Sequence, residues 1–233
     1  MIIKQYEKNS TEWLSARSGI ITGTKNKDLI IKRGTGKKKG FYQLIADRLL
    51  APKPSNDFLP EGYESPEDPR SRGHRLEQEG VNEFKKKFPQ LIINDDCVLC
   101  ISEENERLGY SPDALIYTEG FVPPPEAETD GEAPYPIGTL EIKCLDGANH
   151  IEALITQDYS DYEWQIVQGF IVNPKQEYAY LAFYNPSLTH KQLHYILIPR
   201  EDLAEKITQM QEIHELTLTE VEDWTNKIIN NLI

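Results

Sequence analysis

Residues Thr139 to Gly147 read TLEIKCLDG, an apolar run that carries a Glu and a Lys two positions apart. Side chains alternate along an extended chain, so Glu141 and Lys143 share one face while Leu140, Ile142 and Cys144 take the other. On a surface strand this is a solvated ion pair and nothing more. It becomes chemistry if a second acid joins it. Upstream, GYSPDALIY places Asp113 at a proline-marked position 28 residues before Glu141, and a proline-rich stretch fills most of the gap. If residues 108–117 and 138–145 pair as neighbouring strands, the two carboxylates meet at one end of a sheet. Such a pair repels unless a divalent cation joins it, and Mg²⁺ takes one or two carboxylates, a carbonyl and several waters. Lys143 beside a metal-bound water can orient or deprotonate it and offset charge on a phosphorane-like transition state. The pattern is that of metal-assisted phosphodiester hydrolysis.

Two helical stretches offer further polar groups. RGHRLEQEGVNEF places Glu77 where it could supply a third acid to the metal cluster, with Glu79 as a possible substitute and Glu83 on the solvated face. YEWQIVQGFIV places Gln165 and Gln168 one turn apart on the same side of a helix. Either glutamine could face the site, and the sequence leaves the choice between them open.

The elements that must position these groups can be read from periodicity and punctuation. Short helices are expected over 11–17, with Ser10 or Thr11 as N-cap, and over 22–31, ahead of the glycine-rich KRGTGKKKG. Further helices are expected over 41–50, 71–87, 148–157 and 161–172, and a long amphipathic one over 201–229. Strands are expected over 91–101, 108–117, the Glu141 stretch, YAYLAFY and QLHYILI. The order implies one α/β domain over residues 1–233, a central mixed sheet flanked by helices, with an acidic, proline-rich insert loop at 119–137.

Composition sets the remaining bounds. The 233 residues carry a net charge of −13, yet residues 1–50 hold eleven Lys or Arg against four Asp or Glu, a net of +7, which leaves −20 for the rest. The basic excess is densest from Lys25 to Lys39, and a local patch of this kind is what a phosphate backbone feels within a Debye length. Read without that partner, it is a solvated loop. Cys97 and Cys100 form a C-x-x-C in a strand-like run with no second pair to complete a zinc site, so packing is the expectation for both. MIIKQYEKNS lacks the apolar core of a secretion signal, and no run is long enough to span a bilayer, so a cytoplasmic protein without membrane contact is expected.

The motifs EWLSARSGIITGT, RGHRLEQEG, GYSPDALI, LEIKC, YEWQIVQGFIV and LAFYNPSLTHKQLHYILIPRE occur in this order. With them the chain resembles the phage lambda exonuclease and YqaJ-type viral recombinase family, within the PD-(D/E)XK nuclease fold, over roughly residues 11–50 and 70–215. The resemblance implies Mg²⁺, with Mn²⁺ as a substitute, on Asp113 and Glu141 with help from the Ile142 carbonyl. It implies that Lys143 activates the attacking water and that Glu77 completes the site. The W-x-x-x-R motif and the Ser/Thr after it fall on Trp13, Arg17 and Thr24, which makes Arg17 and Thr24 the candidates for a 5′-terminal phosphate. An Arg fork suits a phosphate better than a Lys point charge does. GTGKKKG, with Lys37 and Lys38, resembles the family's basic loop near the mouth for DNA. The implied activity is 5′→3′ resection of linear double-stranded DNA ends by a ring-shaped homo-oligomer, a trimer by preference, working with a single-strand annealing protein, as a phage-encoded or prophage protein in a bacterial host. An endonuclease or structure-specific nuclease of the same fold, or a silent DNA-binding module, are the alternatives. The family's SPDG appears here as SPDA, which Ala114 can satisfy if the backbone there avoids positive φ. PRSRG stands where the family carries apolar residues that help part the duplex ends.

Overall fold

The structure, a computed structural model, describes residues 1–7, 10–29, 37–49, 69–117 and 135–230, with the side chains of 69–75 left aside. Lys32, Arg33 and most of the 119–137 insert therefore lie outside the described residues, as do the side chains of the PRSRG stretch. The elements in chain order are β1 (Ile2–Gln5), α1 (Thr11–Ala16), α2 (Gly23–Asn26), α3 (Lys39–Leu49), α4 (Pro69–Lys87), β2 (Ile92–Asn94), β3 (Val98–Ile101), β4 (Gly109–Tyr110), β5 (Ala114–Tyr117), β6 (Gly138–Lys143), α5 (Gly147–Thr156), α6 (Glu163–Val172), β7 (Tyr178–Tyr184), β8 (Leu193–Pro199) and, after a 3₁₀ turn, α7 (Ala204–Ile229).

Five strands form a mixed sheet in the order β2-β5-β6-β7-β8, and three more form a small sheet in the order β1-β3-β4. Within the large sheet only β6 and β7 run parallel, joined through α5 and α6, and the other neighbours are antiparallel. Two expected strands are corrected here. Residues 91–101 divide into β2 and β3, and 108–117 divide into β4 and β5, with each half in a different sheet. In the first, the Asn94 side chain accepts the Asp96 N–H and turns the chain. In the second, Pro112 cannot donate to a ladder and Ser111 gives its hydroxyl to the Val98 carbonyl instead. The seam between the sheets falls at Ser111-Pro112-Asp113. The helix expected over 22–31 reduces to the single turn of α2 followed by a turn to Leu29. Strand β1, which was not expected, pairs with β3 from Ile2 opposite Ile101 to Gln5 opposite Val98.

The alternation of β6 holds. Leu140 and Ile142 face α4, where they pack with Leu76, Val81 and Phe84. Gly80 lets α4 lie this close: a Cβ there would stand 2.8 Å from Ile142 Cγ2 and 3.2 Å from Tyr184 Cβ. The opposite face of the sheet belongs to the larger core, built with Ile166, Val167 and Phe170 of α6, Leu44 of α3 and Met210 and Val221 of α7. Ser10 is the N-cap of α1, accepting the Trp13 N–H at 3.1 Å. Cys100 is fully buried, with its thiol pushed up to about 12 by that burial, and it packs as a core residue.

A polar network crosses the larger core. His214 of α7 donates from Nε2 to Asn26 Oδ1 at 2.9 Å. Asn26 in turn donates to the Trp164 carbonyl and to Gln168 Oε1. Burial holds the His214 pKa down to about 4, so the imidazole is neutral in the fold. The unfolded chain takes up a proton near the ordinary pKa of about 6.5 that the folded chain refuses, so stability is lost as pH falls through that range toward 4 and is unaffected above 7. Linkage puts the loss between pH 7.5 and pH 5 at about 2 kcal/mol. Urea unfolding of wild type and His214→Gln at the two pH values measures it. The variant is expected to be the less pH-dependent of the two by about that amount, and an identical pH dependence in both proteins would remove His214 as the cause.

Candidate active site

The β5–β6 register sets Ala114 opposite Leu140, which brings Asp113 opposite Glu141 at the sheet seam. The Asp113 N–H donates to the Leu140 carbonyl at 3.0 Å. Asp113 Oδ2 accepts the Ile142 N–H at 2.8 Å. The SPDA variant fits because Ala114 lies in extended strand, outside the positive-φ region.

Glu141 is 2% exposed, on the face that β6 turns toward α6. Its Oε2 accepts Gln165 Nε2 at 2.6 Å and lies 3.2 Å from Lys143 Nζ. Lys143 also donates to Gln165 Oε1 at 3.0 Å, which closes a triangle of carboxylate, ammonium and amide. The ammonium stands 5.4 Å above the Tyr162 ring. Burial pulls the Lys143 pKa down, but Glu141 and Asp113 outweigh it and hold it above its ordinary value, so Lys143 is a cation here.

The other oxygen of Glu141, Oε1, is buried and has no hydrogen-bond partner. Asp113 is pushed up to about 7, first by burial, then by the charges of Glu141 and Glu77, against the opposing pull of Lys143 and the Ile142 N–H. An orphaned carboxylate oxygen and a second, half-buried carboxylate whose ionisation is resisted suit a cation. Among the described residues no three His, Cys, Asp or Glu side chains gather closely enough to hold a metal ion. Two carboxylates completed by a carbonyl and water remain as the donor set, which fits Mg²⁺ better than a metal that needs a full protein cage. Glu77, half-buried on α4, reaches Asp113 through its charge without closing a three-acid cluster.

The two glutamines part company. Gln165 lies in the triangle. Gln168 does not: it is fully buried, its amide donates to the carbonyls of Ile21 and Gly109, both at 3.1 Å, and its Oε1 accepts from Asn26. One turn of helix carries it past the site and into the scaffold. A Cβ on Gly23 would stand 2.9 Å from Gln165 Cγ and 3.1 Å from its carbonyl, so the bare glycine is what lets α2 close on α6 at this point.

Arg17 ends α1 with its guanidinium 4.2 Å from the Trp13 ring centre. Burial lowers its pKa and the charge of Glu141 raises it, which places Arg17 within electrostatic reach of the carboxylates. Lys25 holds the intervening loop, donating to the Arg17 and Ile20 carbonyls and pairing with Asp47 at 3.5 Å. Thr24 is exposed in α2. Lys37 and Lys38 are engaged elsewhere: Lys37 pairs with Glu220 of α7 at 2.6 Å, and Lys38 donates to the Lys27 carbonyl at 2.7 Å. The sequence singled out neither Asn26 nor His214, whose partners lie 142 and 188 residues away. Tyr162 had a local signal, since it stands one turn before Gln165.

Two crystal structures share this architecture. Both are of the alkaline exonuclease LHK-Exo from Laribacter hongkongensis, one of them in complex with dAMP. Each is 20% identical to this chain with a TM-score of 0.73, covering 96% of this chain and 98% of the other. The likeness shows the PD-(D/E)XK fold that the motifs implied. No curated protein sequence matches the chain. The YqaJ-like viral recombinase domain matches residues 12–176, most of the chain and every group of the triangle, and by that match the protein belongs to the YqaJ-like viral recombinase family.

Proposed function

We propose that the protein is a Mg²⁺-dependent exonuclease that resects linear double-stranded DNA 5′→3′ from 5′-phosphorylated ends and leaves 3′ single-stranded tails for phage-type recombination. The observation that carries this reading is the juxtaposition of Asp113 and the orphaned oxygen of Glu141 with a Lys143 ammonium held by Gln165. The family and the exonuclease chemistry of LHK-Exo support it by likeness.

Asp113 and Glu141 would hold the ion, with the Ile142 carbonyl and water completing its shell and Glu77 adding negative charge behind Asp113. Bound there, Mg²⁺ supplies Lewis-acid stabilisation of the phosphate and a more acidic water. The chain's own residues do the rest. Lys143, as an ammonium, donates to the attacking water or to a non-bridging phosphate oxygen and offsets the charge that builds as phosphorus becomes five-coordinate. Gln165 fixes Lys143 on one side and Glu141 on the other. Arg17 and Thr24 would grip the terminal phosphate, which sets the polarity of cutting. The same reading gives the protein a homo-oligomeric ring, a trimer by preference, and a single-strand annealing protein as partner in the cytoplasm of the phage host. Among the described residues no helix is long and apolar enough to cross a membrane.

Removing either ligand should remove the cation. Asp113→Ala and Glu141→Ala are expected to lose heat-detected Mg²⁺ binding and hydrolysis of linear duplex while melting like wild type, and wild-type turnover in either would place the site elsewhere. Closed circular duplex, spared by an exonuclease and cut by an endonuclease, separates the two nuclease readings in the same assay.

Lys143 and Gln165 act on orientation. Lys143→Ala should keep Mg²⁺ and DNA binding and lose cleavage, and Lys143→Arg should rescue poorly because a planar fork does not replace a compact ammonium. Gln165→Ala should lower the cleavage rate by about 10- to 100-fold, as expected for a group that orients ligands from behind. Full activity in both alanine variants would reduce the triangle to a structural salt bridge.

The end preference tests Arg17. A charge-assisted Arg–phosphate contact contributes about 1.5–3 kcal/mol, which corresponds to about 10- to 150-fold faster digestion of 5′-phosphorylated than 5′-hydroxyl ends. Arg17→Ala should erase most of that ratio and leave 5′-hydroxyl ends cut at nearly the wild-type rate. Equal slowing on both ends would mean that Arg17 supports the fold through Trp13 and does not grip the end.

A further inference from the structure

A cleft of about 540 Å³ opens between the loop after α1, the C-terminal end of α3, the turn before β4 and the last turns of α7. Its rim includes Ser18 and Gly19, and its walls include Arg48, Arg107, Asp47 and Glu222. No group assigned to the carboxylate site lines it. Two arginines thus face one small space. Among the described residues neither guanidinium makes a hydrogen bond or an ion pair, and the Nε of Arg48 is buried without an acceptor. Burial and the nearby Arg107 charge both lower the Arg48 pKa, and Glu222 only partly offsets them.

The carboxylates present do not balance the arginines. Asp47 is already occupied, accepting from the Gly19 N–H at 3.2 Å, from Gln43 at 2.7 Å and from the Lys25 ammonium. That leaves two guanidiniums against Glu222 alone, in a chain whose net charge is −13. Arg48 lies in the last turn of α3, where a cation is favoured by the helix dipole. The dipole does not explain why Arg107 shares the space. A tetrahedral oxyanion in the cleft, with several acceptor oxygens for the guanidinium N–H groups that face it, accounts for the pairing of two arginines there.

We infer that the Arg48–Arg107 cleft is a second phosphate-binding subsite, which takes a backbone phosphate of the bound DNA away from the bond that is cut. The choice of a backbone phosphate over a free one comes from position. Ser18 and Gly19 follow Arg17 directly, and Lys25 ties that loop at the Arg17 and Ile20 carbonyls, so the cleft adjoins the residue that would grip the strand end. The inference rests on the reading that DNA is the substrate.

The test measures binding of a defined linear duplex in chelator, as a function of salt, for wild type, Arg48→Gln/Arg107→Gln and Glu222→Gln, with titrations of inorganic phosphate and dAMP alongside. Loss of one phosphate contact should weaken duplex binding about tenfold at low salt and make the slope of log K against log salt shallower by about 1. Glu222→Gln, which removes the opposing charge, should tighten binding about threefold, a gain that misfolding cannot mimic. Wild-type affinity and slope in the folded double variant overturn the subsite and leave the proposed function standing. If the double variant does not fold, an unchanged affinity in Glu222→Gln overturns it equally. Arginine-dependent binding of phosphate or dAMP with duplex binding unaffected assigns the cleft to a free anion and overturns the backbone assignment. Absence of duplex binding in wild type removes both the substrate reading and the inference built on it.

Discussion

The burial of Glu141 is the constraint around which the rest of the molecule is arranged. A carboxylate at 2% exposure is strongly unfavourable unless it is paired and hydrogen-bonded. The fold satisfies one of its oxygens twice, through Lys143 and Gln165, and leaves the other without a partner. A fold selected for stability alone would complete the second oxygen or replace the ion pair with apolar side chains. On the proposed metal-dependent reading the open oxygen is a coordination position beside Asp113, and the electrostatic cost is part of the working geometry.

That geometry depends on where α6 lies, because Gln165 hydrogen-bonds to both charges of the pair. The position of α6 is set by polar contacts on its buried side. Gln168 fastens it to the Ile21 and Gly109 carbonyls, and Asn26 joins it to α2 and, through His214, to α7. Gly23 removes the side chain that would hold α2 off. Two glutamines of one type, one turn apart, therefore do different work: one orients the charged pair, and the other locks the helix that presents it. Buried polar networks act as specific fasteners of this kind only when nearly all their members are satisfied, and the Gln168 amide has a partner for its nitrogen and its oxygen alike.

Much of the geometry of the candidate site was legible from local sequence. The alternation of LEIK put Glu141 and Lys143 on one face, and the expected pairing of the two strands holds through β5 and β6, which brings Asp113 opposite Glu141. The mixed sheet flanked by helices followed from element order. What local pattern did not carry was contact between distant segments. Whether the Glu141 face meets water or α6 is decided by helix packing, and a strand pattern reads the same in both cases. The choice between Gln165 and Gln168 turned on Asn26 and His214, which lie 142 residues before Gln168 and 188 residues after Asn26 in the two contacts concerned. Splitting of the strands at 95–97 and 111–113 came from side-chain capping and a missing N–H, signals too short to outweigh the apolar runs around them.

The charge pattern shows a similar division between sequence and space. The lysine-rich stretch gives residues 1–50 their positive balance, yet Lys25 is spent on backbone carbonyls and Asp47, Lys37 on Glu220 and Lys38 on the Lys27 carbonyl. In the described structure three guanidiniums also stand without an ion pair: Arg17 over its tryptophan, and Arg48 and Arg107 across a cleft. An ammonium is a compact, strongly hydrated charge that readily settles on its own chain's carbonyls, whereas a guanidinium is weakly hydrated and presents a flat fork matched to phosphate oxygens. Counting Lys and Arg together therefore locates a basic stretch without saying which of its cations the fold has already engaged. On the proposed reading an acidic protein holds a polyanion in this way, because a few arginines with their forks unfilled act within a Debye length while the distant carboxylates are screened.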